Sequence, residues 1–192
     1  MNTISVMIVG VGGQGTLLAS KVLGQALVSM DYDVKVSEVH GMSQRGGSVV
    51  TYVRYGDEVH SPIVDLGEAD YMLAFEPLEA ARYLPYLKKD GVIITNTRET
   101  MPMPVITGAA AYPENIVEKL KARANVVALD AMVLALEAGN AKAVNMVLMG
   151  VLAARMDLPE EVWQAALTKQ VPAKFLELNR RAFALGQAQK GV

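Results

Sequence analysis

The chain has no cysteine among its 192 residues. Without thiolates it cannot form a disulfide, use a cysteine nucleophile or ligate an iron–sulfur cluster. Histidine is nearly as scarce. His40 and His60 are the only two, too few and too far apart for the ligand spacings of a zinc site, so no metal is expected on this chain. Charge of one sign is also lacking: 18 basic residues face 20 acidic ones, the net charge is -2, and no dense Lys/Arg run appears. A nucleic-acid partner is therefore not expected. The longest apolar helical stretch, "AVNMVLMGVLAARM", falls short of the ~20 residues that a membrane span needs. The start, "MNTISVMIVG", has neither the basic n-region nor the cleavage site of a secretory signal. The expectation is a cytoplasmic chain with no membrane contact.

What is present is apolar. Hydrophobic residues make up 52% and charged residues 20%, as in a globular protein, and the length suits one α/β domain over residues 1–192. "TISVMIVG" has almost no polar break, which suits a strand buried on both faces. The stretch from Gly15 to about Val28 then places Leu18, Val22, Leu23, Ala26 and Leu27 at helical spacing. "DYDVKVSEV" reads as a second strand and "SVVTYVRYG" as a third. No helix separates these two, so an antiparallel excursion is expected there.

Further along, "ADYMLAFE" is another buried strand. "PLEAARYLPYLKK" is an amphipathic helix with Pro77 at the first helical position. "DGVIITN" returns to the sheet after a tight turn at Asp90-Gly91, "YPENIVEKLKARA" is helical, and "NVVALD" is the last strand. After Asp130 the chain is helical. Gly139 suits a helix end, and Pro159 with Glu160 and Glu161 suits a helix start. The fold class expected is α/β: a doubly wound, mostly parallel Rossmann-like sheet with a helical C-terminal third.

Between the first strand and helix, Gly10, Gly12 and Gly15 match G-x-G-x-x-G. In that pattern the first glycine makes a sharp turn, the second admits a ligand and the third lets the helix approach the strand. The helix start behind them favours an anion. Gly13 bares the loop further, and Gln14 adds an amide that both donates and accepts. The plain alternative is a βα turn that binds nothing. Glu38, 23 residues beyond Gly15, stands near where a nicotinamide-dinucleotide site wants an acid. A free-standing nucleotide- or dinucleotide-binding protein is thus the alternative function.

Loops after parallel strands leave the sheet at the same edge, so "HGMSQRGG" is expected beside "GVGGQG". It contributes His40, Ser43, Gln44, Arg45, Gly46 and Gly47. Arg45 is suited to clamping a phosphate or carboxylate. It is equally suited to an internal salt bridge, and the whole loop to docking a partner. Ser43 and His40 lack the elbow and residue order of a nucleophile pair. Asn145 lies in an apolar helix, where its amide needs partners. Met146, Met149 and Met156 read as core fillers, with a Met-lined docking surface the alternative, Trp163 as a core or interface anchor, and Phe183 of "NRRAF" as inward-facing.

"VGVGGQG", "EVHGMSQRGGSVVTYVR", "AYPENIVEKL", "ALEAGNAKAVNMVLMGVLA" and "VPAKFLELNRRAF" together resemble the gamma-type domain of the 2-oxoacid:ferredoxin oxidoreductases, over essentially the whole chain. The likeness is closest to the small beta-type subunits that serve indolepyruvate. The resemblance implies a subunit of a complex that oxidatively decarboxylates aryl 2-oxoacids to acyl-coenzyme A while ferredoxin is reduced. It implies thiamine diphosphate, Mg and iron–sulfur clusters on a large alpha subunit, coenzyme A as co-substrate, and contact with ferredoxin through the complex. A homodimer is also compatible with it.

No cofactor is expected to bind tightly to this chain itself, and it is expected to be inactive alone. Its only approach to the G-D-G thiamine motif is "GDE" at Gly56–Glu58, and no catalytic residue can be assigned.

Overall fold

The computed structural model describes residues 3–41 and 46–189. Among these, six strands form one mixed sheet: β1 Ile4–Val11, β2 Asp33–His40, β3 Ser48–Gly56, β4 Ala69–Ala74, β5 Leu87–Asn96 and β6 Asn125–Leu129. Their spatial order is β2-β3-β1-β4-β5-β6. The run β1-β4-β5-β6 is parallel. The β2–β3 hairpin is antiparallel and joins the sheet through β3 against β1. The expected antiparallel excursion is therefore present, and it separates β1 from β2. Both still point the same way, because β3 runs against each of them.

Helices cover both faces. On one side lie α1 (Thr16–Val28), α5 (Ala131–Ala138), α6 (Val144–Ala153), α7 (Glu160–Gln170) and α8 (Leu176–Gln187). They bury Leu23, Leu27, Met146, Met149, Trp163 and Phe183 with Val6, Ile8 and Leu73 of the sheet. Residues 5 to 11 of β1 are all buried, as a near-unbroken apolar strand between two helical layers must be. Met156 joins the same core. On the other side α2 (Pro77–Tyr83) and α4 (Ile116–Lys121) cover Met7, Val9, Met72 and Ile93. A short helix, α3 (Met103–Ile106), lies between β5 and α4.

Local chemistry sets several boundaries. Pro77 starts α2, Gly139 ends α5 at φ 120°, and Glu160 and Glu161 sit in the first turn of α7. Several expectations fail. The helix expected over residues 77–89 ends at Tyr83, and Leu87–Lys89 already belong to β5; the helix expected from Tyr112 starts only at Ile116. Asp90-Gly91 is not a turn before a strand but lies inside β5, where the register against β4 shifts between Ala69 and Tyr71. A Cβ at Gly91 would come within 2.8 Å of the Ala69 carbonyl oxygen. The Asp-Gly signal therefore marks a β-bulge with close backbone approach, the other use of glycine in a strand.

Candidate functional site

α1 follows β1 to one face of the sheet and α2 follows β4 to the other. The carboxyl ends of these two neighbouring strands thus flank a topological switch point, where open α/β sheets form a crevice. The glycine loop lies at this edge. Gly13 (φ 102°) and Gly15 (φ 87°) take left-handed conformations and make the bend into α1.

Gly10 does not turn the chain: it stays in β1, and a Cβ there would come within 2.8 Å of Gln14 Oε1 and 3.0 Å of Phe75 Cβ. Nor does Gly15 mainly ease the helix onto the strand. Its missing Cβ makes room for Asn145 of α6, whose Nδ2 would lie 2.8 Å away and donates to the Gly15 carbonyl at 3.3 Å. Asn145 Oδ1 in turn accepts from the Met146 N–H at 3.0 Å. This buried amide is satisfied by backbone and pins the start of α1.

Gln14 is held internally. Its Oε1 accepts the Val11 N–H at 2.8 Å and its Nε2 donates to Thr100 Oγ1 at 3.3 Å. The two glycine-bearing loops meet through backbone bonds: Gly12 N–H donates to the Gly47 carbonyl at 2.8 Å, and Gly46 N–H to the Gly12 carbonyl at 3.3 Å. Ser43, Gln44 and Arg45, which the sequence nominates in the second loop, lie outside the described residues.

Two clefts flank the bend. One, of about 400 Å³, runs between the start of α1 and β2 and is lined by Gly12, Gly13, Thr16, Glu38 and His40. The other, of about 550 Å³, lies toward α5 and α6 and is lined by Gly13, Gln14, Asn96, Arg98, Thr100 and Lys142. No side chain among the described residues caps α1. Its leading N–H groups have no partner within the helix, and the positive end of the helix dipole adds to their attraction for an anion. A Cβ at Gly13 would meet nothing within 4 Å, so the bend is open on the cleft side.

Glu38 and His40 share a face of β2, but β3 stands between them and β1, so Glu38 lies two strand spacings away, roughly 9–10 Å. Its carboxylate already accepts from Thr51 Oγ1 at 3.3 Å. That geometry is a strand too wide for the ribose-binding acid of a nicotinamide site, which sits at the end of the neighbouring strand.

Sequence reasoning missed the contributions of β4 and β5. Asn96, at the end of β5, accepts the Ala131 N–H at 3.1 Å and so fixes the start of α5. Arg98 reaches both oxygens of Asp130 at 3.1 and 3.3 Å, and this pairing holds the Asp130 carboxyl below its ordinary value. Glu76 is buried at the start of α2 and accepts the Glu79 N–H at 3.0 Å, the Thr100 N–H at 3.3 Å and the Tyr112 hydroxyl. Glu79, also buried, accepts from the Ser48 hydroxyl and from Arg82 Nε at 3.3 Å. The signal was available in "FEPLEAAR": Pro77 at the first helical position makes Glu76 the residue before the helix, where a side-chain oxygen can accept a free N–H of the first turn. The rule that placed the first two loops on one edge also applies to the loops after β4 and β5.

Burial raises the Glu76 carboxyl above its ordinary 4.5, and its hydrogen bonds offset only part of that shift. A raised carboxyl stabilises the fold fully below the ordinary value, and the contribution is lost as pH rises through the raised one. Glu76→Gln has no charge to bury. Thermal midpoints measured from pH 4 to 8 are expected to improve for the variant relative to the parent as pH rises. A difference constant across that range would mean that Glu76 carries no linked proton.

A mixed, mostly parallel sheet with helices on both faces and a glycine bend at its switch point is the open, Rossmann-like α/β class. Within it the likeness is specific, because residues 5–189 match the pyruvate ferredoxin/flavodoxin oxidoreductase family. This chain belongs to that family and is a subunit-type component of an oxidoreductase.

The indolepyruvate oxidoreductase subunit IorB of Thermococcus kodakarensis is 45% identical, over 97% of this chain and 95% of that protein. The protein of the same description from Pyrococcus horikoshii shows the same identity and coverage. The solved gamma subunit of a keto/oxoacid ferredoxin oxidoreductase from Geobacter sulfurreducens shares the fold, with a TM-score of 0.73 at 24% identity over 97% of this chain and 98% of that one. Both curated relatives are named as subunits of an oxidoreductase.

Proposed function

We propose that this chain is the small subunit of a cytoplasmic indolepyruvate oxidoreductase, in which aryl 2-oxoacids are oxidatively decarboxylated to acyl-coenzyme A and ferredoxin is reduced. The observation that carries this reading is the 45% identity to IorB along nearly the whole of both chains. The redox and thiamine chemistry belongs to the large subunit. This chain has no cysteine for a cluster, and among the described residues no three metal-binding side chains come together. Its own share is the rim of the sheet. The open bend at Gly13, the uncapped start of α1 and the ammonium group of Lys142 suit the phosphates of coenzyme A, the anionic co-substrate. Alone, the chain has no turnover.

Reconstitution with the large subunit of its complex, assayed with indolepyruvate, phenylglyoxylate and pyruvate, tests this reading. The expected result is activity only when both chains are present and the highest kcat/KM on indolepyruvate. Equal activity of the large subunit alone, or a preference for pyruvate, would overturn it.

A further inference from the structure

A chain of hydrogen bonds links the glycine bend to the buried carboxylate of Glu76. The Val11 N–H donates to Gln14 Oε1, Gln14 Nε2 to Thr100 Oγ1 and the Thr100 N–H to Glu76 Oε1, at 2.8, 3.3 and 3.3 Å. From Glu76 Oε2 the path continues to the Glu79 N–H, and from the Glu79 carboxylate to the Ser48 hydroxyl. Ser48 is paired with Val11 in the sheet, so the path closes on itself. The ring joins the carboxyl ends of β1, β4 and β5 to the base of the second loop.

We propose that Glu76 is a positioning residue for the coenzyme A site: acting through Thr100 and Gln14, it fixes the bend that presents Gly13 and the start of α1 to the co-substrate. This rests on the reading of the rim given under Proposed function.

The donor count explains why a carboxylate stands there. The Glu79 N–H donates to Oε2, the Thr100 N–H and the Tyr112 hydroxyl to Oε1, and the Leu78 N–H also faces the carboxylate. A glutamine offers one acceptor oxygen and turns an NH2 toward donors, so it cannot serve the α2 start and the Thr100–Tyr112 side together. An apolar residue would serve neither. Burying a carboxyl group is costly, and here its two oxygens hold the α2 start and the Thr100–Tyr112 side at once. Glu79 and Arg82 on α2, Tyr112 after α3 and Glu99 beside Thr100 are the other titratable groups around it.

Thr100 allows the ring to be opened at one exposed link. Thr100→Val keeps the side-chain shape and the backbone N–H to Glu76 but removes the acceptor for Gln14. In the reconstituted complex, Thr100→Val is expected to raise KM for coenzyme A about fivefold while kcat moves less than twofold, the loss of one ordinary hydrogen bond. Thr100→Ser is expected to restore the parent value. Glu76→Gln is expected to raise that KM about tenfold, as for a hydrogen bond to a charged group.

Lys142→Gln, which removes the ammonium group from the same cleft, separates the two levels. If it raises KM for coenzyme A while Thr100→Val is silent, the positioning role is overturned and the site stands. If Lys142→Gln leaves KM for coenzyme A unaltered, the rim is not the acceptor site and the positioning role falls with it. A Glu76→Gln variant that loses thermal stability with no change in the ratio of KM to kcat marks a merely structural carboxylate and also overturns the proposal.

Discussion

Gly150→Ala is expected to abolish soluble expression or lower the thermal midpoint by roughly 10 °C or more, the equivalent of about 4 kcal/mol in a chain of this size. Gly150 on α6 and Gly186 on α8 mark a helix crossing where backbone meets backbone. A Cβ at Gly150 would fall far inside van der Waals distance of the Phe183 carbonyl oxygen, 2.9 Å from its carbonyl carbon and 3.0 Å from the Gln187 nitrogen. A Cβ at Gly186 would collide in the same way with the Val147 carbonyl.

No side-chain rotation relieves either clash, because the obstructing atoms are main chain. The helices must separate by roughly 1 Å or more in an interior packed to crystal-like density. Asn145 to Ala153 are all buried, and Trp163 packs on Phe183 with ring centroids 5.6 Å apart, so the gap would open in the middle of the core. Gly24→Ala is the control. It lies within α1, and its Cβ would meet nothing closer than Val36 Cγ2 at 3.8 Å. There the substitution is expected to stabilise by about 0.5–1 kcal/mol, the helix-propensity gain. Comparing the two midpoints by calorimetry separates a glycine needed for contact from one that is not. A Gly150→Ala protein as stable as the parent would show that α6 and α8 do not cross as closely as described.

The contrast between Gly150 and Gly13 shows what a single sequence can carry. G-x-G-x-x-G is a local pattern: strand, bend and helix fall within a dozen residues, so its place at the sheet edge could be read directly. The Gly150–Gly186 contact depends on two helices 36 positions apart, and nothing local announces it. Trp163, Phe183 and the methionines were legible as core because apolar residues at helical spacing leave few other places to go. The order of strands was only half legible. The absence of a helix between β2 and β3 announced a hairpin, but not that β3 would stand between β1 and β2. That placement is what widens the distance from the glycine bend to Glu38. Likewise the ring through Gln14, Thr100 and Glu76 joins residues up to 86 positions apart. Its individual members look like ordinary helix-start and loop residues until the sheet brings them to one edge.

Gly15→Ala is expected to destabilise the fold by about 2–5 kcal/mol, through two separable costs. The first is conformational: at φ 87° an alanine is strained by about 1–2 kcal/mol, the left-handed penalty for an L residue. The second is a collision. The new Cβ would lie 2.8 Å from Asn145 Nδ2 and 3.3 Å from its Cγ, displacing an amide that is buried and bonded to both Gly15 and Met146 backbone. Freed from those partners, a buried amide costs about 1–3 kcal/mol.

A double-mutant cycle with Asn145→Ala distinguishes the two costs. Asn145→Ala alone loses the two backbone bonds, but once it is present the methyl at position 15 has nothing to strike. The double variant is therefore expected to be more stable than the sum of the singles by about 1–2 kcal/mol, and the remainder is the backbone strain. Urea unfolding of the four proteins gives that coupling from the midpoints, provided the slopes agree. Strict additivity would mean that Asn145 does not press on the bend, and the anchoring of α1 by α6 would have to be abandoned.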